Sequence, residues 1–105
     1  MKKIIGSFYF KINKDGTLTG KFLSLNAKNV SDENAYPILP GNGFIGNFNA
    51  SWNDTNSHKG ILKITDTISP NIYNLIWIEN GSVVNTYEGE GFIEDNILIG
   101  HYWGF

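Results

Sequence analysis

Phe44-Ile45-Gly46-Asn47-Phe48-Asn49-Ala50-Ser51-Trp52 is the stretch that decides the fold. Phe44, Gly46, Phe48, Ala50 and Trp52 share one parity, while Asn47, Asn49 and Ser51 share the other. Side chains of a strand point alternately to opposite faces, so this order makes one apolar and one polar face. On a helix the same residues would spread around the axis and leave no stripe to bury.

Working outward, the same period of two returns on both sides. Upstream, Ile4, Gly6, Phe8, Phe10 and Ile12 alternate with Ile5, Ser7, Tyr9 and Lys11. Asn13-Lys14-Asp15-Gly16 then supplies a hairpin turn, since glycine tolerates the positive φ such turns need. Leu18, Gly20, Phe22 and Ser24 alternate with Thr17, Thr19, Lys21 and Leu23 in the return strand. Downstream, Lys59–Thr67 places Gly60, Leu62 and Ile64 together, and Tyr73, Leu75 and Trp77 share a face of the next run. Asn80-Gly81 is a strong hairpin signal and predicts a strand over Val83–Ile93. Glu94-Asp95-Asn96 turns the chain into a last strand, Ile97–Trp103.

Residues 26–42 lose the alternation. Pro37 and Pro40 flank Ile38-Leu39, so one long loop is expected here, holding at most a short helical turn or an edge segment. The result is an all-β chain of seven to eight strands joined by short turns, with no capped amphipathic helix. An antiparallel up-and-down meander of this size buries itself most economically by closing into a small barrel. Glycines inside the strand patterns, Gly6, Gly20, Gly46, Gly60, Gly89, Gly91 and Gly100, fit the bends that closure demands.

Composition narrows the class of function. With 105 residues the chain forms a single domain, residues 1–105. It has no cysteine, which excludes disulfides and thiolate metal sites. The eight basic residues are all lysine and the net charge is −2, so nucleic acid is not an expected partner. No basic cluster suits an anionic membrane. Met1-Lys2-Lys3-Ile4-Ile5-Gly6 carries signal-peptide charge, but its apolar stretch is too short, and no transmembrane run occurs. A soluble, cytoplasmic protein is the expectation.

Catalytic constellations are weak. Gly41-Asn42-Gly43-Phe44-Ile45-Gly46 matches the dinucleotide fingerprint in letters only, because a strand rather than a helix follows it. His58 and His101 lie on different strands with no ligand pair, and Asp54 shares a turn with His58. Glu88 and Glu90 flank Gly89 on one strand face, where solvated carboxylates are the simple reading. No nucleophile elbow is present. The chain is therefore expected to be no enzyme, to hold no metal and to need no cofactor.

Aromatic residues carry more information. Trp52, Trp77, Tyr73, Tyr87, Tyr102 and Trp103 crowd the later strands, and aromatic walls with a few polar atoms are the usual lining of a small-ligand pocket. The expected function is a binding protein whose apolar or heteroaromatic ligand stacks on Trp52, Trp77, Tyr87 and Trp103 in one barrel mouth, with His101 able to line the lumen and residues 26–42 as a lid. The alternative is a protein-interaction module, an inhibitor or an assembly subunit, using an aromatic β-face or an exposed edge strand, with Tyr102-Trp103-Gly104-Phe105 as the candidate anchor and a homo-oligomer as one partner arrangement.

Gly6-Ser7-Phe8, Asp15-Gly16-Thr17-Leu18-Thr19-Gly20 and Ser24 together resemble the opening hairpin of the avidins and streptavidins. Glu33-Asn34-Ala35-Tyr36, the strand ending in Trp77, and Thr86-Tyr87-Glu88-Gly89 are similar to later segments of that family, with Tyr87 where the family carries a Trp. The second half, Tyr73-x-Leu75-x-Trp77 through Tyr87-x-Gly89-x-Gly91 to Asn96-x-Leu98, resembles small bacterial lipocalin-like barrels. Both resemblances imply a calycin-like barrel. The first implies ligand contacts at Ser24, Asn34, Tyr36, Trp77 and Tyr87.

Overall fold

The computed structural model describes residues 2–104. Eight strands run β1 (Ile4–Ile12), β2 (Leu18–Ser24), β3 (Ser31–Pro37), β4 (Gly46–Asn53), β5 (Ser57–Asp66), β6 (Tyr73–Glu79), β7 (Tyr87–Glu94) and β8 (Ile97–Gly104). Each pairs antiparallel with the next, and β8 returns to β1, so the meander closes into a barrel. The expected all-β architecture is thus present. No helix among the described residues is long and apolar enough to cross a membrane.

Period two sets the inside. Phe8 and Phe10 of β1, Leu18 of β2, Phe48, Ala50 and Trp52 of β4, Leu62 and Ile64 of β5, Leu75 and Trp77 of β6 and Leu98 of β8 form one buried cluster. Asn47, Asn49, Lys59 and Lys63 take the opposite parity and face water. Phe44 precedes β4 rather than lying in it, yet it joins the cluster.

Closure brings neighbouring backbones close together. A Cβ on Gly91 would meet the Ile99 carbonyl oxygen at 2.5 Å, so a side chain there would force the β7–β8 ladder apart. The β1–β8 seam also shifts register between Ile4 and Gly6, a bulge that bends the strand where it joins the last one. At the opposite end, Asp95 and Asn96 both take positive φ, 52° and 63°, giving the two-residue primed turn that fits the twist of β7 and β8.

Two expectations from the sequence are corrected. Residues 26–42 are not one loop: β3 occupies Ser31–Pro37 and pairs with both β2 and β4. Its inward positions carry Glu33 and Ala35, a carboxylate and a methyl, so no hydrophobic alternation announced it. The strand expected over Val83–Ile93 starts later, at Tyr87. Asn80-Gly81 does turn the chain, with Gly81 at φ 88°, but Ser82–Thr86 form a loop in which Val83 is fully exposed.

Register divides the barrel into two halves. One end carries the 13–17, 38–45, 67–72 and 95–96 connections; the other carries the 25–30, 54–56 and 80–86 connections. The first half is filled by Phe10, Leu18, Phe48, Ile64, Leu75 and Leu98, each at most 1% exposed. The second half is the mouth. The expected lid, residues 26–42, is therefore split: 26–30 lie at the mouth end, 38–42 at the filled end, and β3 lies between them.

Candidate functional site

The mouth half is lined by Phe8, Phe22, Ser24, Glu33, Trp52, Asp54, Trp77, Tyr87 and Tyr102, which surround a cavity of about 40 Å³. One water needs about 10–15 Å³, so the space accepts a group of a few heavy atoms. Each wall has a strand parity behind it. Trp52 is the last inward residue of β4, Trp77 and Tyr102 hold inward positions near the mouth ends of β6 and β8, and Tyr87 opens β7 opposite Trp77.

Rings meet mostly edge to face. Phe8 stands edge-on to Trp77 at 5.5 Å, Tyr87 to Tyr102 at 5.7 Å and Phe22 to Tyr102 at 6.3 Å. Such contacts favour one arrangement of the wall over others. Glycine seats two of the rings. A Cβ on Gly6 would lie 2.5 Å from the Tyr102 hydroxyl, and one on Gly89 would lie 3.1 Å from Cζ3 of Trp77. Tyr102 also shares a 2.6 Å hydrogen bond with Ser24 Oγ across the β1 strand.

Glu33 sits at the bottom of this ring. It is 4% exposed, the only buried charged side chain among the described residues. Trp77 donates its indole N–H to Glu33 Oε2 at 2.7 Å, the only side-chain hydrogen bond of the carboxyl among the described residues. Burial pushes its pKa up to about 8, and the Trp77 hydrogen bond opposes that rise only in part. At pH 7 the group is mostly a neutral acid, with one oxygen spoken for and the other left to meet whatever enters.

The rim carries a second polar arrangement. His58 Nδ1 lies 2.7 Å from Glu79 Oε2 and its Nε2 3.1 Å from Asp54 Oδ1, and its ring stacks on Trp52 at 5.8 Å with an 11° tilt. The Glu79 hydrogen bond is the main cause of a raised His58 pKa, with Asp54 adding to it. Asp54 is held low, first by the backbone N–H of Asn56. Burial pushes both Tyr87 and Tyr102 upward, so both phenols stay neutral at physiological pH.

Of the residues singled out in the sequence, Ser24, Trp52, Trp77 and Tyr87 come together here. Asn34 and Tyr36 do not: they alternate with Glu33 and Ala35 on β3 and point away from the lumen, Tyr36 being 55% exposed. His101 and Trp103 are likewise outside. Tyr102 takes the inward parity of β8, which turns its two neighbours to the outer face. There His101 bonds Glu90 at 2.9 Å, Trp103 reaches Glu88 at 3.3 Å, and the Lys2 ammonium lies 4.3 Å from the Trp103 ring centre. Glu88 and Glu90 therefore stand apart from the mouth.

Glu33 and Asp54 escaped the sequence reading as site residues. A carboxylate among strand residues gives no sign of its parity until the strand itself is recognised, and β3 was not. No group of three or more His, Cys, Asp or Glu suited to a metal ion occurs among the described residues. The chain matches no protein-family model, and comparisons with curated proteins and with solved structures give no significant match.

Proposed function

We propose that this is a non-enzymatic binding protein that takes a small ligand, or one compact group of a larger ligand, into the aromatic mouth of the barrel. The observation that carries the reading is the pairing of an aromatic wall with one buried carboxyl, Glu33, whose single hydrogen bond comes from Trp77. Ligand sites are mostly apolar surfaces with a few placed polar groups. A filled core would have no use for a carboxyl at this depth, because burying it without full pairing costs stability. The small volume restricts the inserted part to a few heavy atoms, with the remainder stacked on Trp52 and Tyr87 at the rim. A ligand-holding barrel is also what the likeness to avidins and lipocalin-like proteins implies.

The alternative, a protein-interaction module, has less to stand on. Closure leaves no free strand edge in the sheet. Tyr102 and Trp103, the expected anchors, are only 6% and 7% exposed, and Phe105 lies outside the described residues.

The test is a titration with small probes, indole and phenol among them, followed by the indole N–H resonances of Trp52, Trp77 and Trp103. Binding in the mouth moves the first two and leaves Trp103 in place, and Tyr87→Ala weakens it several-fold. Perturbation confined to Trp103, or no response to any neutral or charged small probe, overturns the proposal.

A further inference from the structure

We propose that Glu33 and the rings around it form a receptor for an organic ammonium head group, a protonated amine or a methylated ammonium. This rests on the reading of the mouth as a ligand site and names the chemistry of what enters it.

Three observations converge. First, the lining is aromatic: Trp52, Trp77, Tyr87 and Tyr102 stand around the cavity. Their ring quadrupoles attract a cation, and such cages are a recurrent means of holding ammonium groups. Second, the cavity has negative or latent negative groups and no positive one in its lining. Glu33 lies at depth, Asp54 at the rim is already bonded to His58, and neither lysine nor histidine is among the lining residues. Third, the size fits. About 40 Å³ has room for a nitrogen with small substituents, while the rest of the ligand stays at the rim.

The carboxyl makes the site selective by charge. In the absence of ligand, burial keeps Glu33 mostly neutral near pH 7. A cation entering beside it favours the ionised form, so the proton leaves to solvent as the ammonium takes its place. A neutral body of the same shape has no such partner and gains only the apolar contact. Binding therefore strengthens as pH rises toward and through the Glu33 pKa.

The groups facing Glu33 from the surrounding strands are few. β1 and β2 contribute Phe8, Phe22 and Ser24, none of which titrates in this range. Trp77 of β6 is its hydrogen-bond donor; Tyr87 of β7 and Tyr102 of β8 are phenols held neutral by burial. Asp54 follows β4, and His58 of β5 and Glu79 of β6 complete the rim trio. His58 is the one other group able to lose a proton nearby, which the experiment must separate.

Calorimetric titration with tetramethylammonium and with choline, against 3,3-dimethylbutanol as the neutral isostere of choline, tests this on the full chain. The cations bind about 10-fold more tightly at pH 9 than at pH 7, given a Glu33 pKa of about 8, and proton release is seen by changing the buffer's ionisation enthalpy. Glu33→Gln, which keeps an oxygen for the Trp77 N–H, weakens cation binding at pH 9 more than 10-fold and removes the pH slope. His58→Gln keeps the slope. Binding of 3,3-dimethylbutanol as tight as that of choline, or a slope that survives Glu33→Gln, overturns the ammonium assignment while leaving the mouth as a ligand site. Failure of every probe, neutral and charged, overturns both.

Discussion

The two halves of this barrel are built on the same strands and the same alternation, yet they solve different problems. In the filled half, Phe10, Leu18, Phe48, Ile64, Leu75 and Leu98 meet with no polar group between them. In the mouth half, tryptophan and tyrosine rings join the phenylalanines, and one strand contributes Glu33 where a hydrophobe would pack. The filled half is arranged for stability. The mouth holds a buried acid that costs stability whenever it ionises. Substitutions in the filled half therefore cost stability, while a neutral residue in place of Glu33 relieves the cost of the buried acid.

Cutting the filled half should have the largest effect. Phe48→Ala should cost about 3–5 kcal/mol by urea denaturation, a large part of the stability of a domain this size. An equal cost for Tyr87→Ala at the half-buried rim would show that the two halves are not distinct.

Next in size is a stabilising change. The folded pKa of Glu33 is raised from 4.5 to about 8, so between those values the native state holds more protons than the unfolded state. Its contribution is neutral below the unfolded pKa, and stability falls as pH rises through this window, levelling above the folded pKa. Glu33→Gln should therefore raise stability at pH 9 by a few kcal/mol and change little at pH 4, as read from thermal melts. A loss of stability at pH 9 would mean that the carboxylate is compensated in the mouth after all.

Gly89→Ala should come third, costing about 1–3 kcal/mol through overpacking. Its Cβ would meet the His101 carbonyl at 2.8 Å and Trp77 Cζ3 at 3.1 Å. The indole resonance of Trp77 should shift, while that of Trp103 stays. The smallest effect belongs outside both halves: Lys21→Ala, which removes the exposed Lys21–Asp32 ion pair, should leave the melting temperature unchanged within error.

Most of the fold was legible because one apolar face repeated at period two in β1, β2, β4, β5 and β6. β3 was not, since its inward residues are Glu33 and Ala35, and a strand carrying so little hydrophobic signal reads as loop. Part of the site was legible for the same reason: Trp52 and Trp77 lie on strands whose parity is unambiguous. β8 gave no such guide. Leu98, Ile99, Tyr102 and Trp103 are apolar at both parities, and only pairing with Gly6 and Gly89 puts Tyr102 inside and His101 and Trp103 outside. The Glu33–Trp77 contact spans three strands, and nothing local in the sequence encodes it.

The seam between β1 and β8 has a consequence for how the molecule is made. Ile4–Ile12 finds one set of ladder partners in the adjacent hairpin and the other at the far end of the chain, Phe8 lying opposite Gly100. During synthesis the outer margin of β1 therefore waits, open to pairing with other nascent chains, until β8 has left the ribosome. Such long-range closure is slow, and an exposed margin is prone to aggregate. Lys2 and Lys3 ahead of that strand and Lys11 within it place positive charge along the waiting margin, which discourages association with identical chains.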